Sequence, residues 1–374
     1  MNRKIARFLS LLFPFILLMA LLPGCAPRIP TPVALVDNPE HSYNNGMKFL
    51  ERGEYEWALA EFERALVLDP QFSLAYVGIG LVKGAKGDFD AAFNALTKAK
   101  ELNGAQASVG IIRLNTLQKA DGWITRAEAE FEAARQKHSR DPSLYYYMGI
   151  AYKEALELKK ALSMFQRVQE LGAGYLAEAK LETYLVDRVI RAQPRSEIGR
   201  QMVLKDRLNR MDVALLLLEE GEVEKILQER SPKSSGSPGP QPLQSKARLV
   251  DLLDHPNRGK VETVLSLKIR GLEHFPDLTF SPNHPVSRAE YSIILEDIFL
   301  KATGDDDLGT RYLNEPSPFE DVDPSSYAFN AIMLLTRKAV LEAKSYNLFE
   351  PEKPVNGPDA LLALRRLSEE IKLR

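Results

Sequence analysis

The chain has 374 residues, 45% hydrophobic and 27% charged, with 49 basic against 51 acidic side chains and a net charge of −2. These are globular proportions at a length for two or three domains, and so neutral a balance gives no electrostatic footprint for nucleic acid. One cysteine excludes an internal disulfide framework and cysteine-based zinc sites. Five histidines without ligand spacing give no reason to expect a metal, and no motif points to another cofactor.

The first predicted element is a targeting segment. "MNRKIAR" is basic, and residues 8–22 run apolar. That run is shorter than the roughly 20 residues of a bilayer span, so a secretory signal fits it. The competing reading, a membrane-anchoring helix, is closed too early by Pro23-Gly24. "LPGC", residues 22–25, resembles the bacterial lipobox, although Pro in its second position is less usual than a small residue. The resemblance implies removal of residues 1–24, thioether lipidation of Cys25 and N-acylation of the new terminus. Each buried methylene contributes about 0.8 kcal/mol, so one chain holds marginally and two or three hold durably. Ala26 in place of Asp, in a Gram-negative host, implies the outer membrane, facing the periplasm. Residues 25–38, with Pro27, Pro30 and Pro32, read as an extended tether.

A repeat of 34 residues follows. Gly46 matches Gly80, Gly53 matches Gly87, Ala58 matches Ala92 and Ala65 matches Ala99. A third copy places Gly122, Ala127, Phe131 and Ala134 one residue out of phase, and a fourth supplies Gly149, Tyr152, Ala161, Phe165 and Val168. Small residues let paired helices approach closely, while Phe62, Leu96, Phe131 and Phe165 fill the space between pairs. Pro70 and Pro142 are expected to end helices. Residues 39–175 resemble the tetratricopeptide repeat, which implies an α-solenoid of about four helix pairs with a concave face that binds a protein partner. Copy three has Asn115 at the first small position, which makes its first helix the weakest expectation. Residues 176–194 read as a helix that caps the stack. Tyr145, Tyr146 and Tyr147 divide between core and surface in one reading and form a peptide-binding wall in the other.

The C-terminal half carries a second repeat. "FSPNHPVSRAEYSIIL" from Phe280 and "FEPEKPVNGPDALLAL" from Phe349 align at an offset of 69, and Leu272-Glu273 matches Leu341-Glu342. With "FEDVDPSSYAFNAI" from Phe319, this looks like the S-layer homology domain, over residues 195–374. Three copies are expected, a partial one near 195–228, one near 247–303 and one near 317–372. Asp251 or Asp254 stands for the family aspartate in the middle copy. Ser287 and Glu290 form an S-x-x-E capping box, which holds Arg288 on the first helical turn. Asn209-Arg210-Met211-Asp212 takes the same place in copy one, and Asn356-Gly357-Pro358-Asp359, without an arginine, in copy three. The resemblance implies that Arg288 and Arg210, with Ser287 and Glu290, bind peptidoglycan or cell-wall polysaccharide through its carboxylates. The structural alternative is a helix start whose arginine pairs with a neighbouring Glu.

Residues 229–246, rich in Ser, Pro and Gly, read as a disordered insertion in this module. Asp305, Asp306 and Asp307 lack the spacing of a calcium loop. No nucleophile elbow, phosphate loop or zinc-protease motif occurs. The whole therefore reads as all-α and non-enzymatic, a lipid-anchored envelope adaptor. Its alternative is a pure interaction scaffold of a secretion or polysaccharide-export assembly, with repeats that have lost sugar binding.

Overall fold

The computed structural model describes residues 38–102, 104–230, 249–344 and 347–373. The signal segment, Cys25 and nearly all of the tether lie outside these residues, as does most of the Ser/Pro/Gly insertion. Helix α12 already occupies positions 229 and 230. The described residues form sixteen α-helices and no extended strand, so the all-α expectation holds. None of these helices is long and apolar enough to cross a membrane.

The chain divides into two compact units. The first comprises the residues up to Ala155 together with Glu170–Tyr175, and the second Leu156–Gln169 and Leu176–Arg374. The first unit contains α1 (Pro39–Glu51), α2 (Tyr55–Leu68), α3 (Ser73–Ala85), α4 (Phe89–Glu101), α5 (Ala105–Gln118), α6 (Trp123–Lys137) and α7 (Pro142–Glu154). Local chemistry starts these helices. The Asn38 side chain accepts from the His41 N–H with Pro39 in the first turn, and Asp88 and Asp141 cap α4 and α7. Pro142 opens α7 rather than ending a helix. Its fixed φ suits the first helical position, where its missing N–H costs nothing. The α5 helix forms in full, and Asn115 is buried in it, donating to the Ile111 carbonyl and accepting from Arg126.

The packing follows the repeat. Phe62 lies against both Gly46 and Gly78, where a built Cβ would come within 2.5 Å and 2.4 Å of its ring. Leu96 stands in the same relation to Gly80 and Gly110, at 2.7 Å and 2.5 Å. One large residue per pair thus wedges between two first helices that carry no side chain at the contact. The first helices α1, α3, α5 and α7 pack on one another in succession, whereas the second helices do not pack comparably on each other. The first helices therefore form the inner wall of this unit.

The second unit holds α8 (Leu158–Leu171), α9 (Leu176–Ala192), α10 (Glu197–Met202), α11 (Arg210–Glu219), α12 (Val223–Arg230), α13 (Arg258–Ser266), α14 (Arg288–Thr303), α15 (Phe329–Arg337) and α16 (Gly357–Lys372). One continuous core runs from Val189 to Ile371. The α9 helix packs on α16, and Val189 and Ala192 enter that core. The helix expected to cap the first repeat is thus part of the second unit, as is most of α8, the second helix of the fourth pair.

Candidate functional site

The second unit is organised around three helix starts. Asn209, Ser287 and Asn356 each accept a hydrogen bond from the N–H three residues on. Asp212 and Glu290 complete capping boxes by accepting from the N–H of Asn209 and Ser287. The residue before each cap is buried and apolar, and these three residues bond in a cycle. Leu208 N–H donates to Val355 (2.9 Å), Val355 to Val286 (2.9 Å) and Val286 to Leu208 (3.0 Å). The first residue of each helix extends the pattern. Arg210 N–H donates to His284, Arg288 to Lys353 and Gly357 to Lys205. Each copy is stitched to the next, and the third closes on the first.

The two arginines lie inside this closure. Arg210 is 7% exposed and Arg288 4%. The Arg210 guanidinium donates to the carbonyls of Phe280 (2.8 Å), Gly271 (2.8 Å) and Glu273 (2.7 Å). Arg288 donates to the carbonyls of Phe349 (2.8 Å) and Glu342 (2.8 Å) and to Asp359 Oδ2 (3.3 Å). Each lies over the Phe of the next copy's loop, Arg210 at 4.8 Å from the Phe280 ring and Arg288 at 4.5 Å from Phe349. Burial pulls both guanidinium pKa values down. The forks expected to present donors to a ligand are turned inward, onto the loops that the 69-residue offset aligns. They act there as clasps between copies.

Of the two candidate aspartates of the middle copy, Asp251 is the one with a structural counterpart in copy three. Its carboxylate accepts from the N–H groups of Phe280 and Ser281, as Asp321 does from Phe349 and Glu350. Copy three departs from this pattern at Gly357. A Cβ there would sit 1.9 Å from the Met202 carbonyl oxygen, so no arginine fits the slot. Asp359, in the position of Glu290, does not cap its own helix. Its buried carboxylate gathers Arg288, Lys344 (2.7 Å) and Arg188, which comes from α9. Sequence reasoning missed Arg188 and Lys344, which belong to no repeat motif. The one available signal was Asp359 standing in the glutamate position without an arginine two residues before it.

Residues 318–360 match the S-layer homology domain family. No curated protein matches the chain. The matched S-layer homology segment is copy three from its front to the start of α16, and it points to the cell envelope or surface. Its outward aromatic is Tyr327, 72% exposed, in the aromatic slot of the family's front motif. Glu290 and Glu352 lie near enough to raise its pKa further, beyond what partial burial does. Ser287 and Glu290 are committed to their capping box, with Glu290 Oε2 2.7 Å from the Ser287 nitrogen.

The first unit answers the question of the three tyrosines by dividing them. Tyr145 is core, packed edge-on to Phe131 at 5.6 Å with its hydroxyl donating to the Ser139 carbonyl. Tyr146 and Tyr147 are half-buried. Among the described residues no cluster of His, Cys, Asp and Glu could hold a metal ion.

Proposed function

We propose that this protein is a non-enzymatic adaptor of the cell envelope. It is anchored by lipid on Cys25, most simply in the outer membrane facing the periplasm. Its first unit binds a protein partner on the inner wall, and its second unit binds peptidoglycan or wall-linked polysaccharide. The observation that carries the wall reading is the cyclic bonding of Leu208, Val286 and Val355. It supports three assembled copies where the family match covers one, and so a complete module rather than a remnant. Tyr327 offers the exposed aromatic surface on which a sugar ring stacks.

The test is co-sedimentation of the full chain with purified wall. The wild type pellets, and Tyr327→Ala leaves about tenfold more protein in solution, a loss of roughly 1.4 kcal/mol. A wild type that stays in solution overturns the wall reading. Arg288→Ala is a poor probe, because it removes a clasp of the fold. The anchor is tested separately: Cys25→Ala loses lipid label and leaves the membrane fraction, and retention of label overturns it.

A second reading has its own observation. Both arginine forks are spent inside the module, Arg210 on carbonyls and Arg288 on carbonyls and Asp359, and the third slot is closed to arginine. A module built this way serves equally as a helical platform for protein contacts. Partners that stay bound to the anchored protein after wall digestion favour this scaffold.

A further inference from the structure

Half-buried aromatic side chains converge in the first unit from segments apart in sequence. Tyr146 stacks on Tyr175 with centroids 4.7 Å apart, and Tyr147 meets Tyr175 edge-on at 5.6 Å and Tyr146 at 5.1 Å. Tyr175 holds a left-handed backbone, φ +54°. That conformation is unfavourable by about 1 kcal/mol for a residue with a Cβ and is retained where surrounding contacts over-determine it. The Arg113 guanidinium, from α5, lies 4.5 Å over the Tyr147 ring. Tyr43, from α1, joins them: Arg113 and Tyr147 both act on its hydroxyl. Three first helices of the inner wall, α1, α5 and α7, thus deliver their side chains to one place.

Around Arg113, Tyr43 and Tyr175 the electrostatics are one-sided. Arg113 has no carboxylate partner among the described residues, and its contact is the face of Tyr147. The groups that act on Tyr43 and Tyr175 are Arg113 and the other tyrosines, with no Asp or Glu among them. Burial raises both phenol pKa values, and the Tyr175 hydroxyl is hydrogen-bonded with Tyr147. By contrast, outward cations of the same unit hold carboxylates: Lys86 with Glu56, Lys100 with Glu130, Lys119 with Glu154. A planar guanidinium kept free over an aromatic face, beside phenolic donors, is a receptor for a carboxylate.

We propose that this cluster seats an acidic side chain of an extended partner segment, its carboxylate on Arg113 and its flanking chain against Tyr146, Tyr147 and Tyr175. The proposal rests on the reading of the inner wall as a partner-binding face and names the chemistry of that partner.

The test uses the full chain and end-capped, fluorescently labelled Gly/Ser/Pro dodecapeptides carrying two or three Glu, each with a Gln twin. The Glu peptides bind and the Gln twins bind about tenfold more weakly, a loss of about 1.4 kcal/mol. Arg113→Gln brings the Glu peptides down to the level of the twins, while Arg113→Lys retains part of the difference. Unchanged helicity by circular dichroism shows that the variants fold. Equal binding of Glu and Gln peptides, no binding of either, or full binding to Arg113→Gln overturns the proposal. A partner captured equally by the wild type and Arg113→Gln would leave the partner-binding reading standing and remove only the carboxylate contact.

Discussion

Gly357 shows how one position can look degenerate in sequence and be strictly required in space. In copies one and two the first helical residue is an arginine that reaches forward to the next copy's F-x-P loop. In copy three the element ahead is the Met202–Val203 backbone, already against the glycine, and Gly357 N–H donates to Lys205. Pro358 fits the same logic. Met211 and Ala289, its counterparts, donate to Pro282 and Pro351 of the following loop, and Pro358 has no N–H with which to make the equivalent bond. Substituting Gly357→Ala should therefore destabilise the second unit by about 3 kcal/mol or more, since backbone must move. Gly357→Arg, which copies the arginine of the first two copies, should be worse rather than better, as read by urea denaturation. Recovery of stability with arginine would show that the slot is open. The capping chemistry was legible because Asn, Ser, Glu and Asp at fixed spacing act within one turn. The fate of the arginines was not, because all but one of their acceptors are carbonyls 54 to 70 residues away, and a carbonyl leaves no mark in composition.

At the scale of elements, the 34-residue repeat was readable because packing needs a small residue and a large one at matched positions. Phe62 and its two glycines set the geometry of the first wedge, and tight packing makes their energies interdependent. Phe62→Ala should cost about 3–5 kcal/mol through the cavity it leaves. Gly46→Ala should cost about 1–3 kcal/mol, because its new methyl meets the ring at 2.5 Å. The double variant should then be less destabilised than the sum by about 1 kcal/mol, since the methyl fills part of the cavity. Strict additivity in a denaturation cycle would mean that Phe62 and Gly46 do not share the space. The end of the first repeat was less readable. The α8 helix carries the repeat's Ala161, Phe165 and Val168 in order, all buried, yet it belongs with the second unit. Periodicity reports which face of a helix is buried and is silent on which core receives it.

For the whole molecule, the informative feature is which unit each of three core clusters draws on. The clusters around Phe62 and Leu96 draw only on the first unit, and the long core from Val189 to Ile371 only on the second. Cooperativity follows shared burial, so the two units should unfold as two transitions. Asp359→Asn identifies the second. It leaves Arg188, Arg288 and Lys344 without the carboxylate they share, and removing one partner of a buried ionic group costs about 3–5 kcal/mol. Calorimetry should show one transition lowered by Asp359→Asn and the other by Phe62→Ala. This assignment makes binding readable by unit. A ligand stabilises the unit that holds it by about 2.7 kcal/mol at a hundredfold excess over its dissociation constant. Soluble wall fragments should raise only the transition that Asp359→Asn lowers, and an acidic peptide only the one that Phe62→Ala lowers. A crossed result, with wall fragments raising the transition marked by Phe62, would move the wall-binding surface to the helical repeat and leave the three-copy module as the platform for protein partners.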